Sequence, residues 1–157
     1  MTVLLTWLYR YAHVAAGSIW LGGYLVLTFV MIPALGKDSN GKGDSRQLEH
    51  LAHLTVRVLT YVGTATIVFG LMLVTRTRGF ASLNMAGPRG GEWGGIIITC
   101  IIIAVALLGI GDGALRPALR RIQHTQDIRP ARRWALVGFS LTLIAVGLMT
   151  RALYASS

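Results

Sequence analysis

Four long apolar runs, separated by polar segments, form the main pattern of this chain. They cover about residues 11–35, 54–74, 93–111 and 134–154, and the first has a helical lead-in from Val3. Each run is near the ~20 residues with which a helix crosses a hydrocarbon core ~30 Å thick. Single strands cannot satisfy their backbone groups in lipid, and barrel strands alternate over ~10 residues. The pattern therefore predicts an all-α integral membrane four-helix bundle, with residues 1–157 as one domain.

Basic residues are concentrated in the segments between the runs. The first and third segments hold Lys37, Lys42, Arg46, Arg116, Arg120, Arg121, Arg129, Arg132 and Arg133. The positive-inside rule places these two segments in the cytoplasm, so both termini are predicted to lie outside. Five aromatic residues then fall on the outer side as an interfacial belt, namely Trp7, Tyr9, Tyr11, Trp93 and Tyr154.

Composition narrows the class of partner. Of 157 residues, 54% are hydrophobic and 13% are charged, whereas soluble domains carry roughly 25% charged residues. The lipid bilayer is therefore the predicted surrounding. The net charge is +9, and the basic residues are spread over the segments between the apolar runs. The sequence shows no basic helix interleaved with exposed aromatics, so we do not predict a nucleic-acid partner. A single cysteine, Cys100, cannot form an internal disulfide.

Two pairs of small residues lie one helical turn apart, Ser18 with Gly22 and Gly109 with Gly113. Such spacing lets two membrane helices approach closely. It is common in membrane helices, so packing inside the bundle is the favoured interpretation. The alternative is a seam between subunits of a homodimer or a larger membrane complex.

The first run contains the main candidate for chemistry, in the pattern R-x-x-H-x6-W-x-G-G that begins at Arg10. A helix places Gly17, Trp20 and Tyr24 on the same face as His13, at +4, +7 and +11. A glycine one turn from a histidine leaves a flat recess for a large planar ring, and imidazole is a common axial ligand of haem iron. The alternative is a neutral histidine that is hydrogen-bonded to a neighbouring helix.

Arginines near His13 are candidates for binding carboxylates. Arg10 lies one turn before His13, and Arg76 is predicted on the same side of the membrane with Arg78, Arg89 and Arg151. Guanidinium groups pair with carboxylates in a bidentate manner, which suits haem propionates. The alternative is that these side chains extend to the lipid headgroups.

These residues resemble the opening of two related bacterial families, the copper-resistance D (CopD) family and the HemJ family of haem-b-binding protoporphyrinogen oxidases. Arg10, His13, Trp20 and Gly23 carry the resemblance, Gly22 is closer to the CopD pattern, and Arg57, Gly70 and Trp93 extend it loosely. It implies a four-helix bundle in a bacterial cytoplasmic membrane, with haem b on His13 as metal ligand. HemJ proteins have a histidine and a lysine where this chain reads Trp93-Gly94-Gly95-Ile96-Ile97, so the oxidase activity is not implied.

Other polar residues give weaker indications of metal binding or proton transfer. His50 and His53 begin the second helix with Arg57 on one face, and with His124 they are predicted to be interfacial rather than metal-binding. A second axial ligand is sought among Met72, Cys100 and Met149. Asp112 is predicted to pair with Arg116 at i,i+4, with a proton-relay role as the alternative.

The functional expectation is a small b-type haem protein in electron transfer or haem-linked redox chemistry, and an oxidoreductase if it is an enzyme. His13 is the expected axial ligand, Arg10 and Arg76 bind propionates, and Gly17, Trp20 and Gly23 shape the wall of the site. Two alternatives stay open: a non-catalytic accessory subunit of a larger membrane complex, and a copper permease of the CopD type. No methionine or histidine cluster of the kind that suits copper is present in the sequence.

Overall fold

The computed structural model describes residues 2–37, 45–83, 91–125 and 127–154. Within these ranges four helical segments are long and apolar enough to cross a membrane: Val3–Gly36, His50–Thr77, Gly91–Ile122 and Arg129–Ala152. The protein is an all-α membrane protein with a four-helix bundle, as predicted. The orientation in the membrane stays a prediction.

The first span is one continuous helix with a wide turn in its middle. Helix α1 covers Thr2–Val26, a π-helical turn covers Leu27–Met31, and α2 covers Ile32–Lys37. The N–H of Ile32 donates to the carbonyl of Leu27, five residues back. Because Pro33 has no N–H and its ring crowds the preceding turn, the helix widens just before the proline and then continues.

The second span is helix α3, Ser45–Thr77, which is followed by a short 3-10 turn at Phe80–Leu83. It includes His50 and His53, which were predicted to begin this helix, and it starts five residues before His50. At its other end the N–H groups of Arg78 and Gly79 both donate to the carbonyl of Val74. Gly79 adopts φ +75°, which a residue with a side chain rarely does, and this ends the helix.

The third span, like the first, consists of an α-helix, a π-helical turn and a second α-helix. Helix α4 covers Gly91–Gly109, a second π-helical turn covers Ile110–Leu115, and α5 covers Arg116–Thr125. Arg116 N–H donates to Gly111 O, and Pro117 follows directly. The basic segment after the third run is therefore mostly helical. Helix α6, Arg129–Tyr154, forms the fourth span, and an Asp127 carboxylate oxygen caps it by accepting from the N–H of Arg129 at 3.0 Å.

Small residues allow the helices to approach closely along two seams. The α3 residues that face α1 include Leu59, Gly63, Thr66 and Gly70. Helix α6 carries a buried or half-buried stripe at alternating spacings of four and three, with mostly small members: Ala131, Ala135, Gly138, Thr142, Ala145, Met149 and Ala152. The aromatic rings of α1 fill the space that these seams leave, since Tyr24 packs onto Gly138.

The buried residues form two separate clusters along the membrane normal. The larger one joins the second half of the first span to α3, α4, α5 and α6, and it contains Trp20, Tyr24 and Leu27. The smaller one joins only α3, α4 and α6, around Cys100. We call the end of the bundle that holds α5 and the start of α6 the basic end, and the opposite end the aromatic end. All described belt aromatics lie at or near the aromatic end, where Trp7 stacks on Tyr11.

One packing prediction was wrong. Ser18, Gly22, Gly109 and Gly113 are all exposed, and a side chain added at any of the three glycines would meet nothing within 4 Å. These small-residue pairs face away from the bundle and do not pack inside it. The alternative, a seam with another subunit, stays a prediction.

Candidate functional site

His13 lies half-buried at the seam between α1 and α3. Its Nδ1 is 2.8 Å from the backbone carbonyl oxygen of Thr66. A carbonyl oxygen can only accept, so Nδ1 carries a proton, and in the neutral form of the ring the lone pair is on Nε2. Nε2 has no hydrogen-bond partner among the described residues. The bond to a neighbouring helix is the one that the alternative interpretation expects, and metal-bound histidines often donate from the other nitrogen in the same way.

A glycine on α3 makes the position of the imidazole possible. A Cβ atom at Gly70 would lie 2.9 Å from Cε1 and 3.1 Å from Nδ1 of His13, both too close for ordinary contact. The ring therefore lies against the bare backbone of Gly70 while Nδ1 bonds one turn away. Thr66 and Gly70 were not assigned to the site from the sequence. The signal was present in the spacing of Gly63, Thr66 and Gly70, which puts three small residues on one face of α3.

The predicted wall residues all contact α3. Gly17 lies opposite Thr66: a Cβ atom at Gly17 would be 3.9 Å from the methyl carbon of Thr66. The Trp20 ring is 4% exposed and covers Gly63. Leu59 fills the recess at Gly23. These residues fix how α1 and α3 approach each other, and they hold His13 at its position along the seam.

The aromatic half of α1 is less enclosed than its other half. No residue from Val3 to Ile19 is buried, whereas Trp20, Tyr24, Leu27 and Thr28 are buried further along the first span. The smaller core cluster contains no α1 residue. Around His13, α1 therefore packs mainly on α3.

Two arginines lie at the aromatic end on the helices that form this seam. Arg10 is three residues before His13 on α1, and Arg76 is six residues after Gly70 on α3, about 9 Å along the helix. Both side chains are exposed and form no hydrogen bond or ion pair with other described residues. By contrast, Arg151 Nε donates to Glu92 Oε1 at 2.8 Å, and the Arg78 guanidinium lies 4.8 Å from the centre of the Trp93 ring.

The predicted second ligands are not brought to His13. Cys100 is buried in the smaller cluster, where its Sγ lies 3.9 Å from the carbonyl oxygen of Ala145, and Met149 packs against the same cluster. Met72 is 41% exposed. His53 precedes Thr66 by 13 residues on one helix, a separation of about 20 Å, so it cannot share an iron with His13 within a subunit. His124 has a side chain outside the described residues.

A second polar group lies in the other half of the bundle. Asp112 Oδ1 accepts from Arg116 Nε at 3.0 Å and from Thr60 Oγ1 at 3.1 Å, so the predicted ion pair is confirmed. Nearby, Tyr24 OH donates to the carbonyl of Leu107 at 3.3 Å. The hydroxyl oxygens of Thr60 and Tyr24 both lie near Gly111, which is in the second π-helical turn. The sequence predicted the ion pair but not its link to α3.

Within the described ranges no group of three or more His, Cys, Asp and Glu side chains converges on a point that could hold a metal. A metal on His13 would therefore need a donor set of its own, such as the four nitrogens of a porphyrin. The His13 side chain is half-buried, and its Nε2 has no hydrogen-bond partner among the described residues. Comparison with known protein families, curated proteins and solved structures finds no match to this chain.

Proposed function

We propose that this protein is a small b-type haem protein of the membrane, with His13 as an axial ligand of the iron. One observation carries the proposal: Nδ1 of His13 donates to the Thr66 carbonyl at 2.8 Å, which leaves the Nε2 lone pair available. Such a bond fixes the tautomer and the ring orientation of a metal-bound histidine. Held on Gly70, the ring lies on the less enclosed half of α1.

The neighbouring residues fit the parts of a haem site. Arg10 and Arg76 would bind the propionates at the aromatic end, because both are exposed and have no carboxylate partner among the described residues. Gly17, which has no side chain and lies one turn from His13, would leave space for the haem ring. Trp20 and Gly23 would set the position of α1 against α3 through Gly63 and Leu59.

A bound haem supplies one-electron chemistry, and the protein tunes its potential through the ligand, its hydrogen bond and burial. The chain contributes an imidazole whose orientation is fixed by its hydrogen bond to the Thr66 carbonyl. Electron transfer or haem-linked redox chemistry is therefore the proposed activity. Any enzymatic reaction would be that of an oxidoreductase.

An absorption spectrum of the purified full chain, expressed with added haem precursor, tests the proposal. We expect a Soret band and a reduced-minus-oxidised difference spectrum, with haem close to one per chain. His13→Ala should lose most of the band. His50→Ala is the matched control, since His50 is exposed and lies toward the basic end of α3. A colourless wild type, or an unchanged spectrum in His13→Ala, would refute the proposal.

We further propose that the protein lies in a bacterial cytoplasmic membrane with both termini outside. The arginines of α5 and of the start of α6 support this orientation through the positive-inside rule. Alkaline phosphatase fused after the C-terminus should be active, and a fluorescent protein that folds only in the cytoplasm should be dark in the same place. The reverse result would invert the topology.

A non-catalytic accessory subunit is the second candidate. The exposed Ser18–Gly22 and Gly109–Gly113 pairs favour it, because both are surfaces on which another membrane helix could pack closely. An accessory subunit would be colourless and would co-purify with a larger complex. Ser18→Leu would then release the partner without a change in helicity.

A further inference from the structure

A cluster of arginines lies where α3 meets α5, apart from His13. Arg57 on α3 and Arg120 on α5 are exposed, and Arg116 is half-buried in its ion pair with Asp112. Thr60 Oγ1 donates to the same Asp112 oxygen at 3.1 Å, which ties the two helices together at this level. Arg57 is three residues before Thr60, and Arg116 is four after Asp112. Because α3 and α4 run in opposite directions, both arginines lie one turn further toward the basic end.

Residue counts along α3 and along α4 place this cluster at the same depth in the membrane. A hydrocarbon core takes about 20 residues of helix. Counted from the aromatic end, 20 residues of α3 end near Arg57, and 20 residues from the start of α4 end near Asp112. The arginines therefore lie at the boundary between hydrocarbon and headgroups, where the phosphates of a lipid leaflet are found.

Among the described residues, the positive charges at this boundary are not balanced by carboxylates. Three guanidinium groups, those of Arg57, Arg116 and Arg120, stand against the single carboxylate of Asp112. Neither Arg57 nor Arg120 forms an ion pair or a side-chain hydrogen bond with any residue in the described parts of the chain. Exposed guanidinium groups at the edge of the hydrocarbon are within reach of lipid phosphates and attract anionic headgroups at that depth. The group is positive by two charges, and arginine binds phosphate oxygens in a bidentate manner.

We propose that the groove between α3 and α5 is a binding site for the headgroup of an anionic phospholipid. Arg57 and Arg120 contact the phosphate from the two sides of the groove. Arg116 adds charge while Asp112 and Thr60 hold it in place. The acyl chains lie along the exposed apolar surface of α3 toward the aromatic end, where Tyr61 and Val68 are exposed. The site is independent of any haem at His13.

Native mass spectrometry of the delipidated full chain in detergent tests this site. Phosphatidylglycerol and phosphatidylcholine are added at equal concentrations, and the bound fraction of each is measured. We expect phosphatidylglycerol to bind about tenfold more tightly, and Arg57→Gln to remove most of that preference. Arg133→Gln is the matched control, because Arg133 is an exposed arginine at the same end of the bundle, on α6 rather than in the groove, and it has no ion pair with another described residue. It should keep the wild-type preference.

Three results would overturn the proposal. One is equal binding of the two lipids to the wild type, and another is an equal loss in Arg57→Gln and Arg133→Gln, which would indicate general charge attraction. The third is displacement of phosphatidylglycerol by inorganic phosphate or by a short single-stranded RNA. Circular dichroism confirms that each variant is folded. If Arg57→Gln does not fold, Arg120→Gln replaces it, with the same expected loss.

Discussion

The contact between Gly70 and His13 allows the geometry of the candidate site to be tested without any cofactor. In Gly70→Ala the new methyl group would lie 2.9 Å from Cε1 of the imidazole, whereas an ordinary carbon–carbon contact is about 3.5 Å. The ring must move away from α3 by about 0.6 Å. The 2.8 Å distance from Nδ1 to the Thr66 oxygen then lengthens, to at most about 3.4 Å if the ring moves directly away from that oxygen, which is beyond the normal range of an N–H···O bond.

The net change in the free energy of unfolding should nevertheless be small. A hydrogen bond between membrane helices contributes on average about 0.6 kcal/mol. Replacing glycine by alanine inside a helix stabilises it by roughly 0.5–1 kcal/mol. The two terms have opposite signs, and the imidazole is the far end of a side chain that can swing. The free energy of unfolding of Gly70→Ala should therefore be within about 0.5 kcal/mol of the wild-type value.

Gly22→Ala is the matched control, since a side chain there meets nothing within 4 Å. It should gain the full roughly 0.5–1 kcal/mol, measured by reversible unfolding in mixed detergent micelles. Nitrogen-15 NMR of the histidine side chains gives the second measurement: the Nδ1–H signal of His13 should change in Gly70→Ala and stay constant in Gly22→Ala. Equal stabilisation of both variants with an unchanged imidazole spectrum would refute the geometry described for His13.

Two further substitutions test the packing of the aromatic side chains. Trp20→Ala removes a ring that is 4% exposed and should lower the free energy of unfolding by about 3–5 kcal/mol in the same micelle assay; a loss below about 1 kcal/mol would contradict the burial of that ring. Gly138→Leu would clash with the ring of Tyr24 and should destabilise the protein by about 1–3 kcal/mol. Gly147→Leu, on the same helix with nothing nearby, should be neutral, so equal effects of the two leucine variants would contradict the contact with Tyr24.

Much of the fold followed from apolar run length. Lipid leaves few alternatives to a helix, so four runs predicted four spans, and the structure extends each of them into its flanking residues. The faces were harder to predict. Ser18 and Gly22 have the spacing of packing residues but are exposed, whereas Gly63 and Gly70 carry the α1–α3 seam. A run that is apolar on all sides does not show which of its small residues meet another helix.

The candidate site was predicted in part. The positions of His13 and Arg10 follow from the sequence, because an ionisable residue within an apolar run stands out. The partners of His13 could not be predicted, since a backbone carbonyl such as that of Thr66 has no signature in the residue type. Cys100 and Met149 were candidates for the second axial ligand, but both belong to the smaller cluster, and the sequence does not show which seam a residue joins.

The two π-helical turns have a consequence for how these helices could change by insertion or deletion. Trp20 and Ile32 are twelve residues apart and both buried, as are Leu107 and Leu119. At about 100° per residue, twelve residues of regular helix would separate two side chains by about 120°. One extra residue taken up in the wide turn reduces the offset to about 20°. Deletion of one residue from the wide turn, with the following proline replaced by a residue that has a backbone N–H, would therefore straighten either helix while the side chains beyond it still faced the same neighbours.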